Sequence, residues 1–406
     1  MKILFVAPYL PSPARFGGQR RMEGLMRGLA RQHDVSILSF NSLDAYAEES
    51  VAATAAYCEA VMTLPDLEPR SLAEKRRLQM QSLVSLHSFE HFQVSRRVDF
   101  QKKIDEQLAK NPYDVVQVEF ANMASYGYAS HGKKPLLILD EHNIEYDLQR
   151  RTAGSADGLS RRSYNSLNWR KLGREEKAAW KRFDGVVLTS ARDQAVLLKS
   201  SPDTHTVVVP NGVDVKHFRP SSADPEADRM LFFGANNYFP NHDALLYFID
   251  EVLPKVVAQR PNAKLSIVGP GVQPAVSARQ SRNVEIVGFV DDVMPHLDRA
   301  SVVVVPLRIG GGTRLKIVEA MAKSKAIVST SIGAEGIDVT HDLDVLIADE
   351  PQALGDQIVR VLKDPQLATR LGLRARELAE RRYAWEAIVG HLEQFYHEVS
   401  RAQQRR

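Results

Sequence analysis

Gly310, Gly311 and Gly312 stand in a row and are followed by Thr313, Arg314, Leu315, Lys316 and, further on, Glu319. Consecutive glycines let a backbone approach a ligand with no Cβ in the way, and the unpaired amides that open a helix attract an anion. Arg314 and Lys316 add positive charge, and a glutamate about one and a half helical turns beyond Arg314 can reach sugar hydroxyls. Amides, cations and a carboxylate in this order read as a nucleotide-sugar site. A glycine loop alone is often only a turn, so the elements around it decide.

The run from Ser301 to Val305 before the loop is apolar and β-branched, as in a buried parallel strand, and Leu315, Val318 and Ala322 after it fall on one helical face. Similar short apolar runs recur at 3–7, 35–40, 61–64, 115–120, 136–140, 186–189 and 206–209, then at 230–234, 265–269, 284–287, 326–329 and 345–348. Longer amphipathic stretches separate them, which predicts parallel sheets covered by helices. The pattern restarts after a turn-rich, polar stretch near Pro210, Asn211, Gly212 and Pro220. The expected division is 1–205 for a first doubly wound domain, 206–225 for a linker, 226–384 for a second domain, and 385–406 for a terminal helix returning to the first.

Open α/β sheets bind ligands beyond the carboxyl ends of their strands. There the first half offers Gly17 and Gly18, opening a helix with Met22, Leu25, Met26 and Leu29 at core spacing, and the polar run from Glu141 through His142 and Asn143 to Glu145. The second half offers Gly234, before a helix with Leu245, Phe248, Ile249, Val252 and Leu253 as its apolar set, and the strand exit at Gly288, Phe289 and Val290, where backbone groups can meet a nucleobase edge.

The 406 residues suffice for two cores, and a net charge of +3 does not by itself imply nucleic acid. Basic residues form no recognisable nucleic-acid reading module, so no nucleic-acid partner is expected. A single cysteine, Cys58, rules out an internal disulfide and a cysteine-based zinc cage. The short apolar start is unlike a signal peptide and no apolar run is long enough to cross a bilayer, so a cytoplasmic location is expected.

Five pieces in order carry a resemblance: Gly17-Gly18; Glu141 to Tyr146 around His142; Pro210 to Asp214; Tyr238 to Ala244; and Gly310 to Ala322. Over nearly its whole length the chain resembles a family 4 retaining glycosyltransferase of the GT-B fold, in the branch found in bacterial exopolysaccharide and surface-glycan clusters. The resemblance implies two Rossmann-like doubly wound domains facing a central cleft. The site would be split between Gly17, Gly18 and His142 on one side and residues 310–319 on the other, with domain closure over it. It also implies transfer of a hexose from a nucleotide-diphosphate sugar to an acceptor hydroxyl with retention, with no metal and no cofactor beyond the donor.

Position by position, Glu319 occupies the second glutamate of the family's paired motif and would grip the donor ribose. The first falls on Gly311, so that carboxylate is absent. Gly312, Thr313, Arg314 and Leu315 match the backbone that binds the diphosphate. The arginine and lysine common after the second domain's first strand are also absent: Ala235, Asn236 and Asn237 stand there, with Asn241 near the expected lysine. Arg314 and Lys316 are expected to replace them, since the departing diphosphate needs nearby positive charge. His142 is expected to line the donor-sugar pocket, partly through its backbone. A glycan or lipid-linked acceptor follows, and the basic, aromatic stretch at 161–182 suggests peripheral contact with an anionic membrane at the inner face of the cytoplasmic membrane. Two other readings are a nucleotide-sugar epimerase of the same fold, using Glu141, His142 and Glu145, and a donor-binding scaffold without catalysis.

Overall fold

The structure is a computed structural model. It describes all residues except 42–45, 66–70, 95–96, 131–133, 154–158, 311–313 and 405–406. Its contacts divide the chain into two units, Met1–Pro210 with Ile388–Arg406, and Asn211–Ala387.

The first unit is built on β1 (Lys2–Ala7), β2 (Asp34–Asn41), β3 (Ala60–Pro65), β4 (Val115–Glu119), β5 (Leu136–Glu141), β6 (Gly185–Leu188) and β7 (Thr206–Val208). They pair parallel throughout in the order β3-β2-β1-β4-β5-β6-β7. A parallel sheet is covered on both faces, which is why its strands are apolar runs without alternation: residues 3–7 are wholly buried. Helix Gly17–Leu29 turns Met22, Leu25, Met26 and Leu29 inward, as its spacing predicts. Residues 206–208, which the sequence assigns to a linker, are the seventh strand of this sheet, because Val186, Val187 and Leu188 pair with them. The long helix Trp385–Gln404 contributes to this unit from Ile388 onward. Its Val389 and Phe395 occupy the space that Cβ atoms on Gly28 and Gly185 would need.

The second unit holds β8 (Arg229–Phe233), β9 (Lys264–Val268), β10 (Val284–Gly288), β11 (Val302–Val305), β12 (Ile327–Ser329) and β13 (Leu346–Ile347), again parallel, in the order β10-β9-β8-β11-β12-β13. One apolar core lies around this sheet, and it includes the whole set Leu245, Phe248, Ile249, Val252 and Leu253. Helix Leu315–Ala322 differs from its predicted one-sided pattern. Residues 317–322 are all buried while Leu315 is half-buried, because the helix is enclosed nearly all round.

Both sheets reverse strand order once, between β1 and β4 and between β8 and β11. At such a switch the two adjacent crossovers leave on opposite sides and open a crevice beyond the strand ends. Gly17 and Gly18 follow β1, Gly234 follows β8, and residues 306–319 follow β11. The topology therefore puts these candidate residues at the two places where an open α/β sheet can receive a ligand.

Candidate functional site

In the first unit the carboxyl ends of β4 and β5 deliver a buried polar cluster. Gln117 and Glu119 alternate with valines along β4, so they share one face, and Gln117 Nε2 donates to Glu119 Oε1 at 2.7 Å. Glu119 Oε2 lies 2.7 Å from His142 Nε2. The Tyr396 hydroxyl, on the terminal helix, donates to Gln117 Oε1. The His142 carbonyl accepts from Thr189 Oγ1 at 3.1 Å. Phe120 has a left-handed backbone, φ 68°, and its ring lies against the imidazole with centroids 3.8 Å apart. A Cβ on Gly18 would fall 3.5 Å from His142 Nδ1, 3.1 Å from the Phe120 ring and inside the Tyr9 hydroxyl's contact distance. The structure thus brings Gly18 and His142 together, as the sequence expects, and the absence of a side chain at 18 is what lets the helix start approach the imidazole.

Beside this cluster Arg21 and Asp140 form a fully buried pair, Nε to Oδ2 at 3.0 Å and Nη2 to Oδ1 at 2.8 Å. Arg21 Nη1 also donates to the carbonyls of Val209 and Pro210, at 2.8 and 3.3 Å. Burial raises the Glu119 carboxyl to about 7, opposed by the Gln117 hydrogen bond and the Arg21 charge. Burial lowers His142 to about 3, so its imidazole is neutral at physiological pH. Glu141, bonded to Trp180 Nε1 at 2.7 Å, is raised by burial to about 8. Glu145 is raised to about 7 for the same reason.

In the second unit, β8 ends at Gly234, φ 142°, a conformation that favours glycine. Lys316 comes across from its helix to this point. Its Nζ donates to Asn241 Oδ1 at 2.8 Å and sits 4.0 Å from the Phe232 ring centroid, and a Cβ on Gly234 would lie 3.2 Å from it. Asn241 is held in turn by Nδ2 to the Ala235 carbonyl at 2.8 Å. Burial lowers the Lys316 ammonium to about 7, with the Arg314 charge acting in the same direction and Glu319 against it. Arg314 is buried; it donates from Nη2 to the Ile332 carbonyl at 3.2 Å and lies 3.8 Å from Glu335. Gly310 packs directly on this guanidinium. Glu319 is buried in the same short helix. Val290 is half-buried and packs on the core, next to the exposed Phe289. Gly311, Gly312 and Thr313 lie outside the described residues.

Several contributing residues are not picked out by motif. Glu119 and Arg21 carry a signal all the same: a carboxylate ending a strand buried on both faces, and an arginine beside Met22 in the apolar face of a helix. Both need a buried partner. Phe120 carries none, since its unusual backbone is set by the fold.

The basic stretch 161–182 departs from its expected form. Leu172 and Trp180 are core residues and the Tyr164 hydroxyl is bonded to Ser82, while Leu167 is exposed, so helix Leu159–Trp180 turns only part of its apolar set inward. Among the described residues no helix is long and apolar enough to cross a membrane. Among the described residues, two groups of side chains bring possible ligand atoms within 4.8 Å of one another, His87 with His91 and Glu175, and Glu119 with Asp140 and His142. In the second, Arg21 already holds Asp140; in the first, the two imidazoles are stacked face to face at 3.9 Å rather than converging on a point.

Residues 17–217 match Glycosyltransferase Family 4 and residues 227–364 match Glycosyl transferases group 1. The chain belongs to the group 1/family 4 glycosyltransferases. It is 24% identical over 379 residues to a protein of the cps region of Klebsiella pneumoniae, covering 89% of this chain and 91% of that one. It is 30% identical over 210 residues to a phosphatidyl-myo-inositol mannosyltransferase of Mycobacterium tuberculosis, covering 48% and 54%. In fold it resembles the GT-B enzymes sucrose-phosphate synthase from Thermosynechococcus elongatus (TM-score 0.70, 18% identity, 99% and 100% coverage) and Anabaena HepE in complex with UDP and glucose (0.67, 16%, 97% and 98%). The protein is a GT-B glycosyltransferase, consistent with polysaccharide biosynthesis, and these relatives do not favour the epimerase or scaffold readings.

Proposed function

We propose that the protein transfers a hexose from a nucleotide-diphosphate sugar to an acceptor hydroxyl with retention of configuration, in surface-glycan synthesis. The observation that carries this is the position of Lys316: its ammonium reaches Asn241 and Gly234, where the family's usual lysine is missing. In this reading the chain from Gly310 to Leu315 holds the diphosphate, Arg314 braces that loop, and Glu319 grips the ribose. Gly17, Gly18 and His142 serve the sugar, and Val290 lies by the base. The bond from the anomeric carbon to the diphosphate oxygen breaks as the bond to the acceptor oxygen forms on the same face. The acceptor proton passes to the leaving diphosphate oxygen, so charge develops on the leaving group, where cations and amides are most effective. HepE's complexes with UDP-glucose support a nucleotide-sugar donor by likeness of fold.

The test is incubation with a panel of nucleotide sugars and candidate acceptors, with the product's anomeric configuration read by NMR. Nucleoside diphosphate released together with a retained glycoside is the expected result; an isomerised donor or inversion would sink this reading. Glu319→Ala is expected to weaken donor binding by about 1–3 kcal/mol, the worth of a charged hydrogen bond to the ribose. Calorimetry with the nucleoside diphosphate checks it, and unchanged affinity would make Glu319 structural.

A lipid-linked acceptor at an anionic membrane is part of the same proposal, with the contact moved from 161–182 to helix Leu72–Val84. That helix is inverted: Ser82 is buried, while Leu72, Met80, Leu83 and Val84 are exposed, with Lys75, Arg76 and Arg77 exposed among them. Exposed apolar side chains ringed by cations suit the boundary between headgroups and acyl chains. The protein should float with vesicles containing anionic lipid, and Leu83→Glu with Val84→Glu should abolish flotation. Equal flotation of the double variant would remove this helix from the proposal.

A further inference from the structure

Tyr396, Gln117, Glu119 and His142 form one unbroken line of hydrogen bonds, and each of the four is buried. Their order has a chemical consequence at the fourth. The Tyr396 hydroxyl donates to Gln117 Oε1. That fixes which way the Gln117 amide faces and obliges its NH2 to point at Glu119, where Nε2 meets Oε1 at 2.7 Å. A donor aimed at Glu119 favours the carboxylate, and an ionised Glu119 can only accept at Oε2, 2.7 Å from His142 Nε2. The imidazole proton must then sit on Nε2. The other ring nitrogen, on the side of Gly18, keeps its lone pair.

We infer that Tyr396, Gln117 and Glu119 are positioning residues that hold the His142 proton on Nε2 and so present Nδ1 as an acceptor for a sugar hydroxyl. This rests on the placement of His142 at the sugar in the proposed function. The terminal helix acquires a role through it: by holding Gln117, 279 positions away in sequence, it sets the tautomer of a histidine at the ends of β4 and β5. The wrong tautomer presents N–H where a lone pair is needed, and an error of this kind costs up to about 10⁴ in kcat in a serine protease triad.

Glu119→Gln tests it, because the amide keeps the shape while reversing one bond. Gln117 still donates to the carbonyl at 119, and the new NH2 then donates to Nε2, which forces the proton onto Nδ1. Protein labelled with ¹⁵N-histidine reports the tautomer by NMR, with the His142 signals assigned from a His142→Gln sample. The expected result is Nε2–H in the parent above pH 7, Nδ1–H in Glu119→Gln, and kcat/KM lower by about 100-fold in the variant. Tyr396→Phe frees the Gln117 amide to turn over and should give a mixture of tautomers and a smaller loss. It also keeps the test decisive if Glu119→Gln folds poorly.

The pH profile is a second readout. Arg21, Asp140, His142, Tyr9 and Tyr396 all face Glu119, and its carboxyl titrates near 7. Below that pH a protonated Glu119 donates to Nε2, so parent kcat/KM should fall relative to that of Glu119→Gln as pH drops through about 7, the titration of Lys316 being common to both. An Nε2–H tautomer in Glu119→Gln, or a switched tautomer with unchanged kcat/KM, overturns the inference. Failure of the parent to turn over any nucleotide sugar would instead overturn the proposed function, and the NMR result would still stand by itself.

Discussion

Lys316→Ala is expected to lower kcat/KM for the nucleotide sugar by about 10²- to 10³-fold, the loss seen when a donor aimed at developing charge is removed from an active site. The magnitude follows from where the ammonium sits. It is held by Asn241, lies over the Phe232 ring, and is buried enough for its proton affinity to fall to about 7. Such a cation is poorly solvated before the diphosphate arrives, so pairing with the leaving group displaces little water. Arg314 has less to give, because its guanidinium already meets the Ile332 carbonyl and Glu335; Arg314→Ala acts mainly by loosening the loop at Gly310.

The depressed lysine also predicts the sign of a pH effect. Above pH 7 the free enzyme holds Lys316 increasingly neutral, and a bound diphosphate stabilises the charged form. Nucleoside diphosphate binding should therefore take up a proton and weaken as pH rises from 7 toward 9. Calorimetry in buffers of different ionisation enthalpy measures the uptake, and Lys316→Ala should abolish it. A variant with parent turnover and parent proton uptake would remove Lys316 from the leaving-group site.

Arg21→Ala should destabilise the fold by about 3–5 kcal/mol, the cost of leaving one half of a buried ion pair without the other. Asp140 would lose its three bonds from the arginine, and the carbonyls of Val209 and Pro210 would lose a shared donor. Burial already pushes the Asp140 carboxyl upward despite the arginine, so in the variant it should protonate rather than remain charged. The sign follows: a carboxyl with a raised pKa in the folded state contributes stability at low pH and loses it as pH climbs. The deficit of Arg21→Ala should accordingly shrink toward acid pH. Urea unfolding at pH 5 and pH 8 measures both numbers, and a loss under 1 kcal/mol at pH 8 would contradict this account.

Both variants test residues of unequal legibility. Lys316 stands in a motif with Gly310 and Glu319, and strand, loop and helix are readable from periodicity alone, because a parallel strand covered on both faces must be an apolar run. Among the described residues, each of the thirteen strands overlaps an apolar run of the sequence. What periodicity does not contain is strand order. The placement of Gly17 and Gly18 after β1, and of Gly234 and Gly310 after β8 and β11, falls at a switch in strand order, and so becomes a candidate site, only because β1 neighbours β4 and β8 neighbours β11.

Residue type, spacing and local pattern thus determined the class of fold, the order of its elements and the positions of its glycines between them, since these depend on neighbours within a few positions. The tertiary structure decided that Lys316 reaches Asn241, that Leu172 and Trp180 are core while Leu83 and Val84 face solvent, and that Tyr396 governs Gln117 across 279 positions. Those facts depend on which segments meet. A buried polar group obliges a partner to exist, but only the packed chain selects which one.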